Sequence, residues 1–153
     1  MLIGIQTEIK NDYGNYLKKI FASVDVLQYE WDIITDDILY KENENTEQGL
    51  FKSSVLDGQC FNKAISKPSY YLIFADFKAY PSGVNRTKIQ TFEDFMQSEC
   101  EIVFMCCDSS FIEIYCKDEK ILRTIYGNCK NFDCESVNYI SIEQAKGRTL
   151  VAF

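Results

Sequence analysis

The sequence predicts an α+β fold with a mostly antiparallel sheet and helices on one face. Three observations support this class. The stretch Ser69–Pro81 is apolar on both faces of an extended chain, as expected of a strand inside a sheet. Cys100–Cys107 and Phe111–Cys116 are apolar runs separated by a short polar turn, which predicts a hairpin. The order strand, helix, strand, strand, helix occurs twice along the chain.

The first half of the chain begins with a strand at Leu2–Ile9, followed by a helix whose apolar residues recur at helical spacing over Tyr13–Phe21. Val26–Ile34 alternates between apolar and polar residues, which predicts a strand with one face on the core. A turn at two aspartates then leads to a short strand, Ile38–Tyr40. The polar run Lys41–Gly49 is expected to be an exposed loop.

The second half follows a short helix that begins at Asp57 and ends before the central strand. Thr91 is positioned to cap another short helix, and Glu119–Gly127 has the strongest helical pattern of the chain. A strand through Val137 comes next. Leu150–Phe153 is either a last strand or a tail that packs on the core.

The direction of the side chains in the predicted hairpin depends on which residues form its turn. If Ser109 and Ser110 form the turn, Met105 faces the same side as Ile114. Glu113 would then share the opposite face with Phe104.

Length and charge narrow the function classes. The chain of 153 residues fits one domain, residues 1–153, with a sizeable core. A net charge of −7, with no histidine, makes it a poor partner for nucleic acid or anionic lipid. No basic leader follows Met1, and no apolar run reaches the roughly 18 residues of a membrane-spanning helix. We therefore expect a cytoplasmic protein that binds neither nucleic acid nor membranes.

The cysteines suit a reducing compartment. There are seven, an odd number, and Cys106, Cys107 and Cys116 lie in apolar runs where a thiol packs as a small hydrophobic group. Cys129 and Cys134 lack the tight spacing of a zinc knuckle. We predict no metal site and no cofactor.

The sequence offers no catalytic residue set. Without histidine, the arrangements that activate most serine and cysteine nucleophiles cannot form. No glycine-rich phosphate-binding motif is present. The residues therefore favour a binding function over an enzyme.

An aromatic pair next to an acidic segment is the best candidate for a binding surface. Rigid aromatic side chains with charges nearby are typical of the residues that dominate protein interfaces. The candidate residues are Tyr29, Trp31, Glu42, Glu44 and Glu47. The aromatic residues have an alternative role as core side chains, and we favour that role for them.

Asp76 is a further candidate because it interrupts an apolar strand. Burial would raise the pKa of its carboxyl group, which is a property of catalytic acids. The alternative, which we favour, is that the strand leaves the core at this point and that Asp76 pairs with Lys78 or another neighbour.

Several stretches of the chain are similar to a known family. They are Tyr13–Leu17, Ser69–Pro81 and the region from Glu101 to Asp118. These stretches resemble a small uncharacterised family of Gram-positive spore-forming bacteria, a domain of unknown function. The resemblance covers nearly the whole chain and carries no catalytic motif. It implies a bacterial cytosolic setting.

Two functions agree with these observations. The first is a cytosolic protein-binding or regulatory module, for which toxin immunity would suit the small size and the acidity of the chain. The alternative is a small-molecule sensor with an aromatic pocket, which the 22 aromatic residues could line. A large closed cavity would favour the sensor, whereas an acidic surface with an exposed Trp31 would favour the module.

Overall fold

The computed structural model of the chain describes residues 1–10, 12–132 and 134–152. Within these residues, eight strands form one antiparallel sheet. The strands are β1 (Leu2–Ile9), β2 (Tyr29–Glu42), β3 (Asn45–Gln48), β4 (Val55–Leu56), β5 (Tyr70–Pro81), β6 (Ile102–Cys107), β7 (Phe111–Cys116) and β8 (Cys134–Ser141). Their order across the sheet is β3-β2-β5-β6-β7-β1-β8, and β4 pairs with β2. The predicted α+β class and antiparallel sheet are confirmed.

Helices lie on both faces of this sheet. They are α1 (Tyr16–Ile20), α2 (Gly58–Ile65), α3 (Phe92–Gln97), α4 (Glu119–Lys130) and α5 (Ile142–Ala145). The front face is the one that α1, α2 and α4 cover, and the back face carries α3 and α5. Among the described residues, none of the helices is long and apolar enough to cross a membrane.

The distribution of the helices corrects the prediction that they share one face. The predicted order of element types occurs in the second half, whereas three strands, β2, β3 and β4, lie between α1 and α2 in the first half. In addition, α1 packs on the front face and α3 on the back face. The back face needs its own cover because Val103, Met105 and Tyr115 point to that side. The two halves therefore differ in the number of their strands and in the face on which their first helix packs.

The central strand β5 is buried on both faces, as its sequence predicts. Phe77 and Ala79 lie in the front core, and Tyr80 lies in the back core. Asp76 and Lys78 are also buried. The prediction that the strand leaves the core at Asp76 is wrong, because β5 lies between β2 and β6 and remains covered as far as Tyr80.

One long strand replaces the two strands and the turn predicted between residues 26 and 40. Val26–Gln28 forms a 3-10 turn, and β2 then runs without interruption through Asp36 and Asp37. The Asp36 carboxylate accepts hydrogen bonds from the main-chain N–H groups of Leu50 and Phe51, each at 2.8 Å. Asp36 thus fixes a distant loop, so its presence does not require a turn at its own position.

The loop predicted at residues 41–49 is a hairpin instead. β2 continues to Glu42 and returns as β3, whose side chains are exposed. Asn43 and Glu44 connect the strands with φ angles of 49° and 69°. Two consecutive residues in the left-handed region form the type of turn that matches the twist of a hairpin. The segment is exposed, as predicted, but regular.

The predicted hairpin of β6 and β7 is confirmed, with a different register. Its loop has three residues, Asp108, Ser109 and Ser110, so that Met105 lies opposite Glu113. The prediction that Glu113 shares a face with Phe104 is wrong, since a shift of one residue moves a side chain to the other face. Glu113 therefore lies on the back face, beside Met105.

The segment of residues 148–152, which we name the strap, packs on the back face. Thr149 forms a bridge with Thr91, and the main-chain N–H of Leu150 donates to the carbonyl of Gln90 at 2.8 Å. Leu150 and Ala152 are buried in the back core. The second of the two predicted alternatives, a packed tail, describes this segment, and Phe153 lies outside the described residues.

Candidate functional site

The back face of the sheet is covered at one end only. α3, α5 and the strap pack over the end that holds the back core. Beyond them, across β7, β1 and β8, lies an open groove of about 260 Å³. Its side chains include Gln6, Glu8, Phe111, Glu113, Ser136 and Asn138. This groove, with these six residues, is the candidate site.

Strand pairing places these side chains in two rows on the back face. In the inner row, Gln6 pairs with Glu113 on one side and with Asn138 on the other. In the outer row, Phe111 pairs with Glu8. Neighbouring strands lie about 4.8 Å apart, so the residues of each row are within reach of one ligand. The sheet thereby brings together residues that are far apart in the sequence.

The inner row is organised around the guanidinium group of Arg148. Its Nη1 donates to Glu113 Oε1 at 3.0 Å, and lies 3.4 Å from both Gln6 Oε1 and Tyr115 Oη. The pKa of Arg148 is raised: desolvation lowers it, but the interactions with Tyr115 and Glu113 outweigh this effect. Arg148 therefore remains a cation and fixes the Glu113 carboxylate at the edge of the groove.

Tyr115 supports this arrangement from beneath. Its hydroxyl donates to Glu113 Oε1 at 2.5 Å. Burial, together with the hydrogen bond to the Glu113 carboxylate, raises the pKa of Tyr115, so the hydroxyl keeps its proton. The ring passes over Gly4, where a Cβ atom would lie only 2.8 Å from Tyr115 Cδ1. A glycine at position 4 thus allows the ring to lie close to β1.

The outer row is open to solvent. Phe111 is 54% exposed, which is high for a large apolar side chain on a sheet. Glu8 is exposed and makes no ion pair with any residue that the structure describes. An aromatic side chain beside an uncompensated carboxylate can contact the aliphatic part and the charge of a lysine or arginine side chain.

Comparison with known proteins identifies the family of this chain. The model of a family described as "Protein of unknown function (DUF2691)" matches residues 2–151 of the chain. The chain belongs to the DUF2691 family. The resemblance inferred from the sequence is thereby confirmed.

A relative of this DUF2691 chain is the "Uncharacterized protein YncE" of Bacillus subtilis (strain 168). It is 33% identical over 141 residues, which are 92% of each chain. No solved structure matches the chain.

Of the predicted site residues, Tyr29 and Trp31 lie in the front core of this DUF2691 chain. The Trp31 ring is fully buried and stacks on Phe61, with ring centroids 3.7 Å apart. Its Nε1 donates to the carbonyl of Val26 at 3.1 Å. The prediction of a binding surface that contains the two aromatic residues is therefore wrong. Core packing, the alternative favoured for them, is what the structure contains.

The acidic residues Glu42, Glu44 and Glu47 are exposed at the β2–β3 hairpin. At about 3.3 Å per residue, the stretch of β2 from Trp31 to Glu42 is roughly 35 Å long. The structure thus brings the three carboxylates together and separates them from the aromatic pair. A role for them in binding stays a prediction.

Asp76 forms a buried ion pair with Lys78, as the favoured alternative predicts. Burial raises the pKa of the Asp76 carboxyl group, and the neighbouring Lys78 ammonium partly opposes this effect. Both side chains also bind the strap: Lys78 Nζ donates to the Leu150 carbonyl at 2.7 Å, and Asp76 Oδ2 accepts from the Ala152 N–H at 3.2 Å. In the described structure this pair holds the strap and does not face solvent.

A second concavity of about 250 Å³ lies on the front side between α1 and α2. Phe21, Val26 and Ile65 line it, with Lys18 and Asn62 at its polar side. Lys18 Nζ donates to Asn62 Oδ1 at 3.3 Å. The described residues hold no cluster of three or more cysteine or acidic side chains that could bind a metal ion.

The sequence prediction did not include the six groove residues. One signal was present: Gln6, Glu8 and Glu113 are polar residues within strands that are otherwise largely apolar. Their meeting depends on the pairing of β1 with β7, two strands that lie far apart in the sequence. Periodicity within one strand carries no information about such a pairing.

Proposed function

We propose that this chain is a protein-binding module and that its partner docks on the open end of the back face. The observation that carries the proposal is the half-exposed Phe111 beside the groove, at the end of the back face that α3, α5 and the strap leave uncovered. Aromatic side chains that a rigid scaffold holds at a surface are typical anchors of protein interfaces. β7 provides that scaffold because it is paired on both sides.

The groove is suited to binding more than to catalysis. Glu8 and Glu113 lie on neighbouring strands of one sheet, so they form a single wall and do not face each other across a cleft. Glu113 is already held by Arg148 and Tyr115, which leaves it poorly placed to transfer a proton. The polar and aromatic mixture resembles the rim and anchor composition of transient interfaces.

A regulatory role in the cytosol agrees with other features of the chain, and toxin immunity is one form that it could take. The net charge of −7 favours a positively charged partner. The burial of Cys100, Cys106 and Cys116 as reduced thiols suits a reducing compartment.

Site-specific photo-crosslinking tests this proposal. A benzophenone amino acid replaces Phe111 in one variant and Leu27 in another, in cells that naturally make the protein. Leu27 is the matched control because it is 53% exposed and lies in the 3-10 turn. We expect the variant at position 111 to yield a defined adduct with one protein, which the variant at position 27 does not form. Equal labelling at both positions, or no adduct at position 111, would overturn the proposal.

The sensor alternative has one observation in its favour, the concavity between α1 and α2. Its size of about 250 Å³ lies below the range of about 300–1,000 Å³ that is usual for drug-sized ligands. Native mass spectrometry of the protein from its own cytosol separates the two functions. A bound small molecule that is lost on replacing Ile65→Trp would support the sensor. A bound protein that is lost on replacing Phe111→Ala would support the module.

A further inference from the structure

The strap shows how the back face binds an extended chain. Every second residue of the strap contacts the sheet. Arg148 does so through its guanidinium group, and Leu150 and Ala152 through their burial in the back core. The N–H of Ala152 also binds Asp76. The Leu150 carbonyl and the Ala152 N–H bind Lys78 and Asp76. The strap thus crosses from β1 and β7 to β5 as a segment with a basic residue followed by alternating apolar residues.

The recognition of Arg148 uses acceptors that border the groove. Gln6 Oε1, Glu113 Oε1 and Tyr115 Oη all approach one guanidinium nitrogen. Glu113 Oε2 makes no hydrogen bond with the residues that the structure describes, and the side chain is 37% exposed. One carboxylate oxygen of this groove residue therefore remains available, one row inward from Glu8.

We propose that the groove binds an extended segment of the partner protein that runs beside the strap and carries a lysine or arginine among apolar residues. This inference rests on the proposed function and specifies its partner. The cation lies between Glu8 and Glu113, and an apolar side chain of the segment packs on Phe111. Ser136 and Asn138 limit the groove at β8.

Charge favours this occupant over an acidic one. Glu8 makes no ion pair with a described residue, and the whole chain carries a net charge of −7. A basic segment is attracted over a distance of about 10 Å at 0.1 M salt, whereas an acidic segment is repelled. The strap provides the internal example of the same chemistry, an arginine bound by Glu113 on this face.

A titration followed by two-dimensional NMR tests the inference. The probe is a peptide with the sequence Gly-Arg-Thr-Leu-Val-Ala, which is that of residues 147–152, with both ends blocked. Two further peptides have glutamine or glutamate in place of the arginine. We expect the arginine peptide to shift signals of Glu8, Phe111 and Asn138 and to bind about two- to fivefold more tightly than the glutamine peptide. The glutamate peptide should bind most weakly.

Matched variants show whether the binding belongs to the groove. Glu8→Gln should weaken the arginine peptide by about two- to fivefold and reduce its advantage over the glutamine peptide. The control is Glu99→Gln, which removes one exposed charge between α3 and β6, outside the groove. This control should leave the affinity unchanged. Both proteins should give the spectrum of the folded wild type away from their substitutions.

Several outcomes would overturn the inference. One is equal binding of the arginine and glutamate peptides, and another is an equal effect of Glu8→Gln and the control Glu99→Gln. The others are no binding at the solubility limit of the peptide, and NMR shifts confined to Gln90 and Leu150. The last outcome would mean that the peptide replaces the strap. If crosslinking at position 111 succeeds while any of these occurs, the docking face stands and only the basic segment is wrong. Failure of the crosslinking itself removes the proposed function.

Discussion

The two faces of the sheet are built from different kinds of contact. The front face holds an apolar core in which Trp31 stacks on Phe61 and Phe77 stacks on Phe104. The back face buries charged and polar groups, among them the pair of Asp76 and Lys78. Apolar packing tolerates many alternative partners, whereas buried charges accept only partners that satisfy them. From this comparison we expect the front face to provide most of the stability, and the polar groups of the back face to hold the strap in one position.

The largest effect is expected on the front face. Phe61 is fully buried between Trp31 and Phe51, so Phe61→Ala should lower the free energy of unfolding by about 3–5 kcal/mol. Urea denaturation followed by tryptophan fluorescence measures this loss, because Trp31 is the single tryptophan and contacts the deleted ring. Phe61→Leu is the control and should cost less. A loss below about 1 kcal/mol for the alanine variant would contradict the role given to the front core.

A loss of stability of comparable size is expected when the ion pair on the back face is broken. Asp76→Ala leaves Lys78 buried without its carboxylate and should cost about 3–5 kcal/mol in the free energy of unfolding. Replacing both residues, Asp76→Leu with Lys78→Met, should restore only part of this loss. No buried charge remains, but the Leu150 carbonyl and the Ala152 N–H lose their partners. Chemical denaturation of both variants measures the difference. A double variant as unstable as the single one would show that Lys78 is needed for the strap itself.

The raised pKa of Asp76 also predicts the direction of a pH effect. Its carboxyl group binds a proton more tightly in the folded protein than in the unfolded chain. The contribution of this group to stability is therefore complete below its ordinary pKa of 3.8 and is lost as the pH rises through the raised folded value. Asp76→Asn does not titrate, so the difference in stability between wild type and variant should shift against the wild type as the pH rises. A pH-independent difference would contradict this assignment.

Gly4 tests the support beneath the groove with a smaller effect. A Cβ atom at position 4 would lie 2.8 Å from Tyr115 Cδ1 and 2.9 Å from the main-chain oxygen of Ile114. Gly4→Ala should therefore cost about 1–3 kcal/mol and displace the Tyr115 ring. Gly127→Ala is the matched control, because nothing lies within 4 Å of its Cβ position in α4. The control should stabilise the protein by about 0.5–1 kcal/mol, and equal effects of the two variants would contradict the prediction.

The smallest effect on stability is expected at the candidate site. Phe111→Ala should change the free energy of unfolding by less than about 0.5 kcal/mol, because the side chain is 54% exposed. The same variant should lose the partner that crosslinks at position 111. Leu27→Ala is the control and should keep that partner. Thermal denaturation measures the stability, and co-purification measures the retention of the partner. A strongly destabilised Phe111→Ala variant would show that Phe111 belongs to the core and would contradict its assignment to the site.

Local sequence signals predicted much of the fold. The Thr91 hydroxyl accepts from the Asp94 N–H, and the Asp118 carboxylate caps α4, so both helices begin where their caps indicate. The apolar pattern of β5 identified the central strand because burial on both faces leaves no polar alternation. These features depend on residues that are close together in the chain.

Features that depend on distant residues were predicted poorly. In the sequence, Asp36 resembles a turn residue. In the structure its carboxylate instead accepts hydrogen bonds from Leu50 and Phe51, which are distant in the chain. The length of the β6–β7 loop, two or three residues, decides on which face of the sheet Glu113 lies. The two adjacent serines agree with either length. The groove depends on the pairing of β1 with β7 and β8, and no pattern within β1 specifies those partners.

The position of β1 has a consequence for the order of events during protein synthesis. β1 leaves the ribosome before its neighbours in the sheet, because Gly4 pairs with Tyr115 and Ile5 with both Ile114 and Tyr139. Translation proceeds at about 5–20 residues per second, so on the order of a hundred residues take several seconds to synthesise. During this time β1 lacks its partner strands. The groove between β7, β1 and β8 is therefore among the last parts of the protein to form. A nascent chain cannot form this groove until β8 has been translated.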